Sequence, residues 1–250
     1  MKQYNFVFIT PSYNNENYIK KNLDSIINQT YKNWRIIYIN DCSTDNTSNI
    51  LKNNYLNKYN IELIENKKNM KPAYSRYIST KYLKNTDEIC IFLDGDDWLC
   101  DEYVLQKLNI FYNAYDINAT YGNMYVYDNK KNIDYVEALG FPEEIKKNNA
   151  YRKYKWGTIP HLRTCKVNLF KDIPPYMLKD HNNEWLKVST DMAMMWYILE
   201  NSDGKHKKVS FPTVVYNIES SKRFETCYNT QTLEWRKYRN NVENHLRKLK

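Results

Sequence analysis

Ile89-Cys90-Ile91-Phe92-Leu93-Asp94-Gly95-Asp96-Asp97-Trp98-Leu99 decides how the chain is read. The apolar run Ile89 to Leu93 predicts a short strand buried on both faces. It runs directly into three carboxylates. Packing acids beside the end of a buried strand costs both desolvation and mutual repulsion. A divalent cation removes that cost, and aspartate oxygens suit Mg²⁺ or Mn²⁺, hard ions that keep positions open for phosphates. Gly95 permits a sharp turn and close approach of a ligand. The plain alternative is an acidic turn in which Asp97 caps the following helix.

Upstream, the same pattern repeats. Phe6-Val7-Phe8-Ile9 is a short apolar strand that ends in Thr10-Pro11-Ser12-Tyr13-Asn14-Asn15. Ile19, Leu23, Ile26 and Ile27 then fall at helical spacing. Arg35 to Asn40 is a second strand, ending at Asp41, and a helix is expected from about Asp45 to Leu56. Ile61 to Ile64 is a third strand, and Pro72 opens a helix to about Leu83 that carries Arg76. Strand–helix alternation with short turns implies a parallel, doubly wound sheet, whose ligands bind beyond the carboxyl ends of the strands. Three such ends carry polar groups suited to a nucleotide: Thr10 to Tyr13, Asp41, and Asp94 to Asp97.

Composition sets wider bounds. At 250 residues with 42% hydrophobic content, the chain can bury a substantial core. The five cysteines are scattered without a CxxC pair, which argues for reduced thiols and against a zinc site. No apolar run approaches the roughly 18 residues of a membrane span, and no signal-like segment opens the chain, so a cytoplasmic protein is expected, or one peripheral to a membrane. The net charge of +8 is compatible with phosphates, anionic membranes or nucleic acid. Much of it gathers in Arg236 to Lys250, within an amphipathic helix expected over Gln231 to Leu249.

Thr10-Pro-Ser-Tyr-Asn, Ile39-Asn-Asp41-Cys-Ser-Thr-Asp45-Asn-Thr47 and Phe92-Leu-Asp-Gly-Asp-Asp-Trp98, in this order and spacing, resemble the family 2 glycosyltransferases. The likeness is close over about residues 4–127 and loose over 150–220. It implies an α/β protein of the GT-A fold, with a Rossmann-like, mostly parallel sheet flanked by helices, an acceptor-side insertion and a C-terminal helix. One domain over 1–220 would divide into a nucleotide-sugar half (1–127) and an acceptor half (128–220), followed by a basic extension (221–250). The implied activity is metal-assisted, inverting transfer of a hexose or N-acetylhexosamine from a UDP-sugar to an acceptor hydroxyl. The acceptor could be a glycan, lipid or protein; no nucleic acid is expected, and a homo-oligomer stays open.

Carried over residue by residue, the resemblance implies that Thr10, Pro11 and Tyr13 line the uracil and that Asp41 accepts a hydrogen bond from it. Arg76 would lie near the nucleotide. Asp94 would contact ribose or sugar and share metal binding with Asp96, which bridges the diphosphate through Mn²⁺ or Mg²⁺. Asp97, beside Gly95, would lie near the donor sugar. One departure is Asn69-Met-Lys71-Pro-Ala-Tyr-Ser-Arg76-Tyr77, where Lys71 replaces the usual Gly and Tyr77 the usual Asn; Lys71 could instead reach a phosphate.

Farther along, Asp101 to Tyr115 predicts a helix and Thr120 to Tyr127 a strand, while 128–150 is expected as a loop or acceptor-side insertion. Within Trp156-Gly-Thr-Ile-Pro-His161-Leu-Arg163-Thr-Cys165, His161 and Arg163 could read an acceptor or the diphosphate; a structural histidine is the plain alternative. Asp191 opens a helix and, by the resemblance, is the catalytic base, with Asp180 and Glu184 in reserve. The ordinary alternative is a helix N-terminal carboxylate. Val209 to Tyr216 is a last strand. Family members often carry a His after it, near the diphosphate, and this chain has Tyr216-Asn-Ile-Glu-Ser-Ser-Lys222-Arg223 instead, where a basic residue could substitute. Two other classes are weighed. A sugar-nucleotide nucleotidyltransferase would favour a Gly-rich, basic loop after the first strand, and residues 10–18 contain no Gly, Lys or Arg. A nucleic-acid-binding module leaves the Asp94–Asp97 cluster unexplained.

Overall fold

The computed structural model describes residues 1–84, 87–128, 133–154, 159–219 and 232–249. Trp156, Lys222, Arg223, Cys227 and Gln231 lie outside the described residues.

The parallel core forms as the apolar runs predict. Strands β1 (Asn5–Ser12), β2 (Trp34–Asn40), β3 (Ile61–Glu65) and β4 (Glu88–Phe92) align in parallel in the order β3-β2-β1-β4. Phe6, Phe8, Ile36, Tyr38, Ile89 and Ile91 fill one face of the sheet; Val7, Ile9, Ile37, Ile39, Cys90 and Phe92 fill the other. Burial on both faces is why these strands read as continuous apolar runs rather than alternating ones.

Helices α1 (Ile19–Ile27) and α2 (Thr47–Leu51) cover the first face, and α3 (Lys71–Ser79) the second. The helix expected over 45–56 is α2 continued by a wider π turn, Lys52–Leu56. After the two-residue β5 (Trp98–Leu99) come α4 (Val104–Ala114) and β6 (Ala119–Tyr127). The stretch 128–150, expected as loop, contains β7 (Ile133–Val136) and the short helix α5 (Glu143–Lys147). Glu143 and Glu144 in the first turn of α5, with Lys146 and Lys147 in the last, suit the helix dipole.

Beyond β4 the sheet is mixed. Strand β8 (Arg163–Lys166) runs antiparallel between β4 and β6, and β9 (His206–Asn217) runs parallel to β6 and antiparallel to β5. Helix α6 (Thr190–Glu200) and the C-terminal α7 (Leu233–Lys248) pack on the second face, where Met192, Met195 and Trp196 join Val242 and Leu246 in one core. Arg152 ties α6 to α7: it pairs with Glu200 at 2.5 Å and donates to the carbonyl of Leu246 at 2.5 Å. No helix among the described residues is long and apolar enough to cross a membrane.

Candidate active site

The site lies where the carboxyl ends of β1, β2 and β4 meet, joined by main-chain bonds. Asp41 N donates to Ser12 O (2.9 Å), and Gly95 N donates to Pro11 O (3.0 Å). Gly95 is dictated by this crossing: a Cβ there would lie 2.7 Å from Ser12 Cβ and Oγ. Asn14, Cys42, Lys71 and Ser189 all hold positive φ along the edge of the site (53°, 62°, 76° and 57°). Such backbone is costly for residues with a Cβ and gathers at functional sites.

Asp41 is almost fully buried and organises the start of α3. Its oxygens accept from Asn66 Nδ2 (2.7 Å), Met70 N (2.8 Å) and Lys71 N (2.9 Å). Thr10 is fully buried, so its side chain offers no surface to a ligand in this conformation; Pro11 is half-buried and Tyr13 exposed. Arg76 is buried and pairs through Nη2 with Asp94 Oδ1, while its buried Nε has no hydrogen-bond partner.

The three acids differ in environment. Asp94 and Asp96 are half-buried, and Asp97 is 1% exposed. Asp97 Oδ1 accepts from Asn217 N at 2.9 Å, and Asp97 Oδ2 is buried without a partner. Burial, followed by the charges of Asp96 and Asp94, pushes the Asp97 carboxyl well above the usual carboxylate range. His161 Nδ1 stands 4.0 Å from Asp97 Oδ2. Burial first, then Arg163 and Arg76, hold that imidazole well below its ordinary pKa, so it is neutral; because Arg163 can only donate to Nε2, Nδ1 carries the proton here and would have to release it to ligate. Ligand atoms of Asp94, Asp97 and His161 lie within 4.8 Å of one another. Donors about 2.0–2.2 Å from a common ion lie at most about 4.4 Å apart, and Asp97 Oδ2 and His161 Nδ1, at 4.0 Å, meet that limit. An orphaned buried carboxylate oxygen facing a neutral imidazole therefore fits a divalent cation. Asp96, expected as the principal ligand, is not part of this group; its carbonyl accepts from Asn217 Nδ2 at 3.3 Å.

Arg163 connects this cluster to α6. Its Nη2 donates to Asp191 Oδ2 (2.9 Å) and to Ile159 O (3.1 Å), and its Nη1 lies 3.0 Å from His161 Nε2. His161 stacks on Tyr216, with ring centres 5.1 Å apart. Asp180 is buried and accepts from Asn182 N, Glu184 N and Tyr238 OH, which makes it a loop organiser. Glu184 is exposed beside Lys187. Sequence reasoning missed Asn22 and Asn66, and met Tyr216 and Asn217 only as the residues standing where relatives often carry a His. Asn66 and Asn217 each directly follow or end a strand at the site edge, which is the signal that could have found them.

The glycosyl transferase family 2 profile matches residues 7–173. The chain belongs to glycosyl transferase family 2. Glycosyltransferase GlyA of Streptococcus pneumoniae is 36% identical over 134 residues, covering 53% of this chain and 18% of GlyA. WfgD of Escherichia coli, a UDP-Glc:alpha-D-GlcNAc-diphosphoundecaprenol beta-1,3-glucosyltransferase, is 29% identical over 194 residues, 76% of this chain and 72% of WfgD. The crystal structure of S. aureus TarS 1-349 in complex with UDP-GlcNAc superposes with a TM-score of 0.63 at 21% identity, over 85% of this chain and 58% of that one. This family 2 chain thus has the GT-A fold of TarS, and it spans under a fifth of GlyA and under two thirds of TarS 1-349.

Proposed function

We propose that the chain transfers a hexose or N-acetylhexosamine from a UDP-sugar to an acceptor hydroxyl, by single displacement with inversion. One observation carries the reading: Arg163 links Asp191 to His161, and His161 faces the orphaned oxygen of Asp97. A candidate base and a candidate cation site thereby belong to one connected arrangement at the carboxyl edge of the sheet, where such folds bind ligands. Further support comes from the TarS complex with UDP-GlcNAc and from a GT-A neighbour described with GDP-Man and Mn²⁺, which superposes with a TM-score of 0.53.

In this reading residues 1–127 hold the donor and 128–220 the acceptor. Pro11 and Tyr13 border the base, while Asp41 supports the loop around it. Asp94, Asp97 and His161 would hold a divalent cation, with Asp96 beside them. When bound, that ion supplies positive charge to the departing diphosphate. Arg76 and Arg163 add two buried guanidinium groups near the same place. Asp191 accepts the proton of the acceptor hydroxyl as its oxygen bonds to the anomeric carbon. The bond from that carbon to the phosphate oxygen breaks, and its electron pair leaves with the nucleoside diphosphate. Arg163 keeps the Asp191 carboxylate oriented. The acceptor is a hydroxyl of a glycan, lipid or protein; the name of WfgD points to a diphospholipid-linked sugar as one such class.

Calorimetry of UDP binding with Mn²⁺ and with chelator tests the donor site. UDP should bind at least about tenfold more tightly with Mn²⁺, a difference near 1.4 kcal/mol. Asp97→Asn and His161→Ala should remove that difference. Loss in Asp96→Asn alone would return the principal ligand to Asp96.

A further inference from the structure

Helix α1 carries a polar stripe beside its apolar one. Asn22, Ser25 and Gln29 are spaced by three and four residues and so share a face. All three bond to the main chain of residues 94–105. Asn22 Nδ2 donates to Asp94 O (3.0 Å) and Asp97 O (2.7 Å), Ser25 Oγ accepts from Leu99 N (3.0 Å), and Gln29 donates to Asp101 O (2.6 Å) and accepts from Leu105 N (3.0 Å). The helix thereby replaces a neighbouring strand for a segment whose own strand, β5, has only two residues.

Within the stripe, Asn22 bonds the acidic turn. It grips both carbonyls that bracket Gly95 and Asp96, while Asn217 holds Asp97 Oδ1 and Asp96 O from β9. Asn22 is fully buried, and its Oδ1 has no hydrogen-bond partner. An unsatisfied buried acceptor is costly, so the side chain is held here by the two bonds its Nδ2 donates. Polar groups that orient ligating side chains without touching the ion commonly govern metal affinity.

We propose that Asn22 is a positioning residue for the cation: by fixing the Asp94 and Asp97 carbonyls, it sets the separation of the two carboxylates that face His161. This rests on the cation reading of the site.

The test compares Asn22→Leu with Gln29→Leu in the full chain. Gln29 is equally buried and also bonds main chain, but at residues 101–105, away from the acids. Mn²⁺ binding in the presence of UDP is followed by electron paramagnetic resonance, and thermal melting gives stability. Both variants should lose stability. Asn22→Leu should weaken Mn²⁺ about tenfold or more, in the range seen when outer partners of metal ligands are removed, and Gln29→Leu should stay within about twofold of wild type. If Asn22→Leu does not fold, Asn22→Ser carries the comparison, with a smaller loss of affinity expected. Equal Mn²⁺ affinity in all three proteins overturns the inference and leaves the cation reading standing. Absence of Mn²⁺ binding to wild type overturns the cation reading and the inference with it.

Discussion

Asp97 Oδ2 lies 4.0 Å from His161 Nδ1, too far for a hydrogen bond and suited to two donors sharing one cation. Without the ion, burial first and then Asp96 and Asp94 oppose ionisation of this carboxyl. Asp97→Asn keeps an oxygen to accept from Asn217 N and removes the cost of ionising a buried acid. The ion-free protein should therefore gain about 1–2 kcal/mol, comparable to the relief expected on neutralising a poorly paired buried group. The stabilisation that Mn²⁺ confers on wild type should vanish. Thermal melts of both proteins with Mn²⁺ and with chelator check this, and a variant less stable than ion-free wild type would count against it.

Lys71 occupies left-handed backbone, φ 76°, while its N–H caps Asp41. Glycine adopts that conformation without the Cβ clash and keeps the N–H. Lys71→Gly should raise stability by about 1 kcal/mol and Tm by about 3 °C. UDP affinity should fall a few-fold as a cation leaves the donor edge. Melting and UDP titration read the two effects separately, and unchanged UDP affinity would place Lys71 outside the donor site.

His206 is buried with its Nε2 2.7 Å from Tyr151 OH, and burial, reinforced by Lys146, lowers its pKa to about 4. Between pH 6.5 and 4 the unfolded chain binds the proton that the folded chain refuses. Stability is therefore lost as pH falls through this window, by at most about 3 kcal/mol, and the loss ends below pH 4. His206→Gln should flatten that slope. Urea unfolding at pH 4 to 7 measures it, and an unchanged slope would assign the acid sensitivity elsewhere.

The fold was legible where chemistry and chain order coincide. Phe6 to Ile9, Arg35 to Asn40 and Ile89 to Leu93 are continuous apolar runs because each strand is buried on both faces, and their ends carry the site's polar groups. Strand β8 escaped because its residues are polar and satisfied only across the fold: Thr164 Oγ1 meets Tyr112 OH and Thr120 Oγ1 at 2.7 and 2.6 Å, and Arg163 meets Asp191. Asn22 escaped because it sits beside Leu23 within an apparent apolar helix, with its partners more than 70 residues away. The inward turn of Asp97 was hidden for a related reason. Spacing within Asp94-Gly-Asp-Asp does not say which side chain turns inward; the bond from Asn217 N does.

The measurement closest to the central claim is release of nucleoside diphosphate from a panel of UDP- and GDP-sugars, with Mn²⁺ and with chelator, for wild type, Asp97→Asn and Asp191→Asn. Slow transfer to water makes the assay independent of the acceptor. The proposed transfer predicts Mn²⁺-dependent release of UDP from one hexose or N-acetylhexosamine donor, abolished in Asp97→Asn and reduced at least about a hundredfold in Asp191→Asn, the range of a lost general base. Absence of turnover with every donor, or turnover indifferent to Mn²⁺ and to both substitutions, would contradict it.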